Sequence, residues 1–261
     1  MLQLWWYLIP TVSTEEIISA AKQGFEAAFS EKSFYNRQTQ DISHIEAILG
    51  ILPVKSGMRI LDLGTGSGYL IFALAKKYPE ASFVGLDIVE NALMHNRQRA
   101  AQEGLDNVSF VSYDGSTFPF ESRSFDMVVT RYALHHFPDI NSSLSEVSRI
   151  LSDKGCFFIS DPAPNEGDEN GFADEYMQVK PDGHIKFRSL DEWKSLCGNC
   201  GFQLADSFVS SIRFPRKYEK IYETIMKRHP KGTVSSYGIE VTDGEIFITE
   251  QVNNMLFCRE I

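Results

Sequence analysis

The chain of 261 residues is 43% hydrophobic and carries a formal net charge of −10, with 25 Lys and Arg against 35 Asp and Glu. A chain of this length and composition can bury a large core, and it predicts a single domain with elaborations. The acidic balance disfavours DNA, RNA and anionic membranes as main partners, because they repel an acidic surface.

The first ten residues, MLQLWWYLIP, form an apolar segment that ends at Pro10. The segment is too short to span a bilayer, and it lacks the charged start and small-residue cleavage site of a secretory signal. We expect no membrane span, and we expect the segment to dock onto the domain, cover a site, or pack on a second subunit in a homodimer. Four cysteines without a regular framework favour a reducing compartment, and therefore the cytoplasm.

Two amphipathic helices are predicted first, over Thr14–Phe29 and about Asp41–Leu52, because apolar side chains recur there at helical spacing. Short apolar strands then alternate with helices. The predicted strands are MRILDLG, ASFVGLD, VSFVSYD, FDMVVT and GCFFISD, and the helices between them are YLIFALAKKY, ENALMHNRQRAAQEG and INSSLSEVSRIL. Such alternation predicts crossover units and a mainly parallel, doubly wound sheet with helices on both faces.

After Asp161 the rhythm loosens into the polar, acidic and turn-rich stretch PAPNEGDENGFADEY. A helix over SLDEWKSLCGNCG and late strands over FQLADSFV, EIFITE and NNMLFCRE are expected to complete the sheet. The basic stretch RFPRKYEK is interpreted as the start of a solvated helix. The sequence shows no internal repeat or linker, which favours one domain.

Three glycines, Gly64, Gly66 and Gly68, lie in LDLGTGSGY between the first strand and its helix. Glycines let a backbone turn sharply and approach a ligand closely, and the helix N-terminus offers free N–H groups. A tight turn with no ligand is the alternative for such a motif by itself. A dinucleotide site requires G-x-G-x-x-G, whereas here Tyr69 stands where the third glycine belongs. The spacing therefore disfavours a nicotinamide-dependent oxidoreductase.

Acidic residues accompany three successive strand ends. Asp62, just ahead of the glycines, suits a ligand with an ammonium group better than a pyrophosphate. Asp87 can accept both ribose hydroxyls of an adenosine, with Ile88 on the adenine face, and Asp114, followed by Gly115, can accept the adenine amine. Any one acid could instead cap a helix or lie in solvent. The set predicts a single crevice at the C-terminal edge of the sheet.

The segments LDLGTGSG, FVGLDI, YDGSTFPF, FDMVVTRYALHHFPD and EVSRILSDKGCFFISD resemble the class I S-adenosylmethionine-dependent methyltransferases, in particular the ubiquinone/menaquinone biosynthesis type. The resemblance extends from roughly Met58 to Asp161. It implies an α/β, Rossmann-like, doubly wound sheet of seven strands, mostly parallel with an antiparallel last strand, and S-adenosyl-L-methionine as cofactor. Residues 1–261 would form one methyltransferase domain: a helical cap (1–55), a cofactor-binding core (56–161), a lid-like insertion (162–188) and the completion of the sheet (189–261).

The resemblance also implies roles for individual residues. The loop from Asp62 to Gly68 would hold the methionine part of the cofactor, and the fourth strand would end beside it. N-terminal residues would close over the cofactor carboxylate. The implied cofactor-binding residues are Asp62, Gly64, Thr65, Gly66, Gly68, Asp87, Ile88, Asp114, Gly115 and Arg131, together with Tyr35 and Arg37.

Methyl transfer from a sulfonium is an in-line displacement, for which alignment at about 3 Å does most of the work. A base is needed only if the nucleophile must lose a proton. The catalytic candidates after the fourth strand are Tyr132, His135 and His136, and the lid-like region adds His184 and Arg188. Neighbouring residues of a helical turn point about 100° apart, so we expect at most one of the two adjacent histidines to face the acceptor.

No metal site is predicted. The C-x-x-C of Cys197 and Cys200 has no second pair nearby and is interpreted as packed or exposed thiols. The leading hypothesis is a methyltransferase with a small-molecule acceptor. The alternatives are an enzyme that uses the same cofactor for non-methylating chemistry and a cofactor-binding regulatory or inactive subunit. We expect residues 162–188 and the first 40 or so residues to shape the acceptor pocket.

Overall fold

A computed structural model describes residues 14–30, 42–180 and 182–259. The helices are α1 Thr14–Ser30, α2 Ile42–Ile51, α3 Tyr69–Lys77, α4 Glu90–Glu103, α5 Ile140–Ile150, α6 Phe172–Met177, α7 Leu190–Asn199, α8 Lys220–Arg228 and α9 Lys231–Ser236, with a 3-10 turn over Leu134–His136. The strands are β1 Arg59–Leu63, β2 Ser82–Asp87, β3 Val108–Ser112, β4 Phe125–Arg131, β5 Leu151–Ala163, β6 Phe202–Lys217, β7 Glu240–Thr242 and β8 Glu245–Arg259.

The strands form one sheet in the order β3-β2-β1-β4-β5-β8-β6, and the three-residue β7 pairs with β8. Strands β1 to β5 pair in parallel, and β8 runs antiparallel between β5 and β6. The predicted Rossmann-like fold is therefore confirmed, with seven strands on the main path and β7 beside it. The order reverses at β1, which places the crevice of such a sheet at the carboxyl ends of β1 and its neighbours.

Apolar clusters cover both faces of the sheet, because neighbouring strand residues point to opposite sides. In β5, Phe157 packs in one cluster with residues of α5 and α7, whereas Phe158 packs in the other with residues of α2, α3 and α4. The helix α4 ends at Gly104, whose φ of 64° continues the chain in the left-handed conformation, as its position at the helix end predicted.

The part of the chain after β5 differs most from the sequence prediction. The stretches EIFITE and NNMLFCRE belong to one strand, β8, and Arg213–Lys217 extends β6 instead of starting a helix, which begins at Lys220. The sequence does not reveal that this is one strand, because β8 carries buried polar side chains that interrupt its apolar pattern. The short helices α6 and α9, which the sequence did not predict, share a third apolar cluster with α8 and Phe187.

Cys156 of β5 and Cys258 of β8 are directly opposite each other and form a disulfide. The sequence favoured reduced cysteines, so this disulfide was not predicted. The two cysteines are 102 positions apart, and only the antiparallel return of β8 brings them together. Cys197 and Cys200 are free, and Cys197 is buried in the core. In the described ranges, no helix combines the length and the apolar character needed to cross a bilayer.

Candidate active site

The glycine loop joins β1 to α3 and forms the floor of the crevice. A Cβ atom at Gly64 would lie 2.5 Å from Ala133 Cβ, and one at Gly68 would lie 2.5 Å from the Phe72 ring. Both glycines also have left-handed φ angles, 70° and 76°. Only glycine combines these angles with this space, so the loop can lie flat against its neighbours and present its N–H groups to a ligand.

Asp62 is buried at the end of β1, and its Oδ2 accepts a hydrogen bond of 2.7 Å from the Thr65 hydroxyl. Burial raises the pKa of Asp62 to about 7, with the nearby charge of Asp87 acting in the same direction and the Thr65 bond opposing it. A carboxyl with such a pKa gains from a bound cation. A bound ammonium group would therefore favour the ionised form of Asp62.

Asp87 holds the loop from the neighbouring strand. Its Oδ2 accepts the N–H of Gly66 at 2.8 Å, and its Oδ1 accepts the N–H of Val89 at 2.9 Å. Burial raises the pKa of Asp87, although these two N–H groups oppose the shift. Asn96 of α4 donates to the Gly66 carbonyl at 2.8 Å. Asp87 therefore fixes the shape of the glycine loop in addition to facing the crevice.

The crevice encloses a cavity that we call the larger cavity. Of the predicted cofactor residues, it brings together Gly64, Thr65, Gly66, Asp87, Ile88, Gly115 and Arg131. Helix α1 covers one side with Ile18, Ala21 and Phe25, and Ile18 Cγ2 lies 2.9 Å from the point where a Cβ of Gly115 would stand. Tyr113, whose N–H donates to the Asp87 carbonyl at 3.3 Å, lines the cavity too, as does Ile88.

The remaining predicted cofactor residues lie elsewhere. Asp62 and Gly68 belong to the loop beneath the lining. Asp114 is exposed, and its Oδ1 accepts hydrogen bonds of 2.8 Å from the backbone and the hydroxyl of Ser116, which hold its pKa below the ordinary value. Tyr35 and Arg37 lie outside the described residues.

Arg131 and Tyr132 close the larger cavity on the β4 side. The Arg131 guanidinium lies 4.2 Å from the ring centre of Tyr69 and 3.9 Å from that of Tyr132. Tyr132 has a φ of 55°, which is unusual for a residue with a large side chain, and its N–H donates to the Ser160 carbonyl at 2.8 Å. Strained backbone of this kind concentrates at functional sites.

A second, smaller cavity of about 20 Å³ adjoins the larger one. Tyr132 and His136 line both cavities and so form the wall between them. Polar side chains from four segments face the smaller cavity: His135, His136, Asp182, Arg216 and Glu250. Both histidines of the 3-10 turn border the smaller cavity, and His136 also lines the larger one. The expectation that at most one of them faces the acceptor stays a prediction.

His135 is paired with a carboxyl that the sequence did not single out. Its Nδ1 lies 2.8 Å from Oδ1 of Asp161, at the end of β5, and both side chains are buried. Burial holds the pKa of His135 well below its usual range, with His184 acting in the same direction. Burial also raises the pKa of Asp161 well above its ordinary value. His135 is therefore a neutral imidazole near neutral pH, oriented by its Nδ1.

The two other candidates from the sequence lie behind His135. His184 contacts Asp174 with Nε2 at 2.8 Å from Oδ1, and its ring centre is 5.4 Å from that of His135. Arg188 is buried, and its charge favours the ionised form of Asp161. Across the described part of the chain, no group of three or more His, Cys, Asp or Glu side chains has the arrangement needed to hold a metal ion.

A family model described as a methyltransferase domain matches residues 54–223. The chain therefore belongs to this family, and its fold and crevice define a class I S-adenosylmethionine-dependent methyltransferase whose cofactor is S-adenosyl-L-methionine. The solved structure of YcgJ from Bacillus subtilis has the same fold, with a TM-score of 0.71 at 20% identity over 85% of this chain and 100% of that chain.

Curated relatives agree with this assignment. The chain is 29% identical over 162 residues to an uncharacterized methyltransferase, YcgJ, of Bacillus subtilis (strain 168). The match covers 62% of this chain and 62% of that protein. It is 28% identical over 173 residues to the ubiquinone/menaquinone biosynthesis C-methyltransferase UbiE of Dinoroseobacter shibae, which covers 64% of this chain and 69% of that protein. The matched part thus spans under two thirds of the first relative's length.

Proposed function

We propose that this protein transfers the methyl group of S-adenosyl-L-methionine to a small-molecule acceptor. The observation that carries the proposal is the shared wall of Tyr132 and His136, because it places a polar second cavity directly beside the cavity at the glycine loop. A methyltransferase needs two adjoining sites of this kind, one for the donor and one for the acceptor. The name of the UbiE relative, which cites quinone biosynthesis, supports an acceptor of low molecular mass.

The larger cavity has the chemical groups that the cofactor needs. Asp62 lies beneath the lining, bonded to Thr65, and its carboxyl suits the ammonium group, whereas Asp87 lines the cavity and retains lone pairs for ribose hydroxyls beyond those used by Gly66 and Val89. Ile88 and Gly115 border the apolar end, where the adenine would lie. In this assignment Gly64, Thr65, Gly66 and Gly68 form the cradle for the methionine part, and Arg131 flanks it.

The bound cofactor supplies a methyl group on a sulfonium, which leaves as a neutral thioether when the acceptor attacks. The protein must align the acceptor and, where the attacking atom carries a proton, remove that proton. We assign proton removal to His135. In the tautomer that carries its proton on Nδ1 and donates it to Asp161, Nε2 is the basic atom of the neutral imidazole. Tyr132 and His136 then orient the acceptor at the boundary between the cavities.

The decisive experiment follows the label of methyl-labelled S-adenosyl-L-methionine into fractionated pools of phenols, carboxylic acids, amines and thiols. We expect label in one low-molecular-mass product, with an equal amount of S-adenosylhomocysteine. Asp87→Ala serves as the variant with weakened cofactor binding. Cofactor binding without transfer to any pool would favour non-methylating chemistry or a regulatory role. Absence of cofactor binding would overturn the proposal.

The cytoplasmic location, the homodimer and the division of the chain into cap, core, insertion and completing segment remain proposals. Size-exclusion chromatography with light scattering measures the oligomeric state directly. A monomer at micromolar concentration would contradict the homodimer.

A further inference from the structure

Arg216 of β6 is a buried cation that has no oxygen partner at hydrogen-bond distance among the described residues. Its side chain is 7% exposed, and Nη2 donates to the Met177 sulfur at 3.4 Å, a weak acceptor. The nearest carboxylate oxygen, on Asp182, is 3.8 Å away, and Nε is buried with no partner in the described part of the chain. The guanidinium lies 4.5 Å from the ring centre of Phe214. A buried charge with so few hydrogen bonds is costly unless a ligand completes them.

Arg216 shares its nearest carboxylate with a second cation. Oδ2 of Asp182 lies 3.8 Å from Arg216 and 3.5 Å from Lys180 Nζ, so neither cation has this carboxylate to itself. His135 and His136 line the same cavity and add no charge near neutral pH, since burial holds the pKa of each well below its usual range. The cavity therefore presents a guanidinium with an incomplete set of acceptors, which an anionic group of a ligand can complete.

Glu250 of β8 faces the same cavity and can act as a donor. Its side chain is 1% exposed, and its Oε1 is buried without a partner in the described ranges. Burial raises the pKa of Glu250 to about 8, although the charge of Arg216 opposes this. Near neutral pH most of the carboxyl is therefore protonated, and it can donate an O–H group into the cavity that Arg216 also lines.

We propose that Arg216 and Glu250 bind a carboxylate, or another oxyanion, of the methyl acceptor in the smaller cavity. This inference rests on the proposed function, because it identifies the smaller cavity as part of the acceptor site. A volume of about 20 Å³ holds a terminal group and not a whole ligand. The rest of the acceptor extends past Tyr132 and His136 toward the larger cavity.

The test uses pairs of probes that differ only in charge: butanoate and butanamide, hexanoate and hexanamide, benzoate and benzamide. Binding is measured by NMR titration of the full chain saturated with S-adenosylhomocysteine. We expect each carboxylate to bind at least about tenfold more tightly than its amide, since charge-assisted bonds to a guanidinium are about twice as strong as neutral ones. Equal affinities within every pair, including no binding of either member, would overturn the inference.

Two variants locate the effect. Arg216→Gln should bring the affinities within each pair together, whereas Arg213→Gln should leave the difference intact, since Arg213 lies on the same strand but is exposed and paired with Glu240. Arg216→Lys keeps the positive charge and should retain part of the preference for carboxylates over amides. This variant keeps the inference testable if Arg216→Gln fails to fold. A preference that survives in Arg216→Gln would place the anion elsewhere.

S-adenosylhomocysteine affinity separates this inference from the proposed function. All four proteins should bind it equally, because Arg216 does not line the larger cavity. If the unmodified chain fails to bind S-adenosylhomocysteine, the proposed function fails. If it binds but does not distinguish carboxylates from amides, only the acceptor assignment fails.

Discussion

Asp87→Ala is the substitution whose effect on cofactor binding follows most directly from the structure. It removes two oxygens that hold the N–H groups of Gly66 and Val89 at 2.8 and 2.9 Å, in a side chain that is 8% exposed. A hydrogen bond to a charged group contributes about 1.5–3 kcal/mol, which corresponds to a loss of about 10- to 150-fold in affinity for each one missing. Loosening of the loop at Gly66 adds to the loss of the ribose contact.

Isothermal titration with S-adenosylhomocysteine measures this loss, and thermal unfolding reports any damage to the fold. Asp126→Ala is the matched control, because Asp126 Oδ2 also accepts a backbone N–H, from Arg59 at 2.8 Å, but at the opposite end of the strands. We expect the control to keep full affinity. An Asp87→Ala protein that is folded and binds as tightly as the unmodified chain would refute the assignment of Asp87.

Three further outcomes are expected. Affinity for S-adenosyl-L-methionine should fall as the pH drops below about 7, because Asp62 becomes protonated there. Affinity for 5′-methylthioadenosine, which has no ammonium group, should stay constant. Affinities of the two ligands that fall in parallel with pH would contradict the role of Asp62. Asp161→Asn should lower kcat and shift its pH profile, because His135 loses the carboxyl that orients its Nδ1, while the cofactor affinity measured by titration should stay unchanged. The folded chain retains the proton of Glu250 up to about pH 8, above the ordinary value of 4.5, so its contribution to unfolding free energy should decrease as pH rises between these values. Glu250→Gln should flatten that slope in urea denaturation, and an unchanged slope would exclude Glu250 as its source.

The cofactor half of the molecule could be predicted from the sequence because its signals are local. A strand, its glycines and the next helix are consecutive in the chain, and the strand ends at Asp62 and Asp87 are adjacent whenever parallel strands pair in this order. Gly64 and Gly68 require left-handed backbone, which their position at the turn already indicated. The parallel sheet therefore follows from periodicity alone.

The acceptor side could not be predicted, because its groups come from distant segments. Asp161 ends β5, Arg216 ends β6, and Glu250 lies within β8, where it looks like the polar half of an alternating strand. Its burial follows from the central position of β8 between β5 and β6, a long-range pairing that no local pattern encodes. The positive φ of Tyr132 likewise has no local signal, since no glycine or asparagine marks it.

This division implies that cofactor affinity and acceptor choice vary independently, except at two residues. The parallel strands β1 and β2 carry Asp62 and Asp87, the acids at the glycine loop, whereas β6 and β8 carry Arg216 and Glu250 of the smaller cavity. Tyr132 and His136 alone, within the described residues, line both cavities. Backbone strain like that of Tyr132 costs about 1–3 kcal/mol and persists only where surrounding structure imposes it. Here the bond from its N–H to Ser160 and the Arg131 guanidinium, 3.9 Å from the ring centre, hold the ring at the boundary between the two cavities. Substitutions at Arg216 or Glu250 should therefore change which acceptor binds, whereas those at Tyr132 should affect donor and acceptor together.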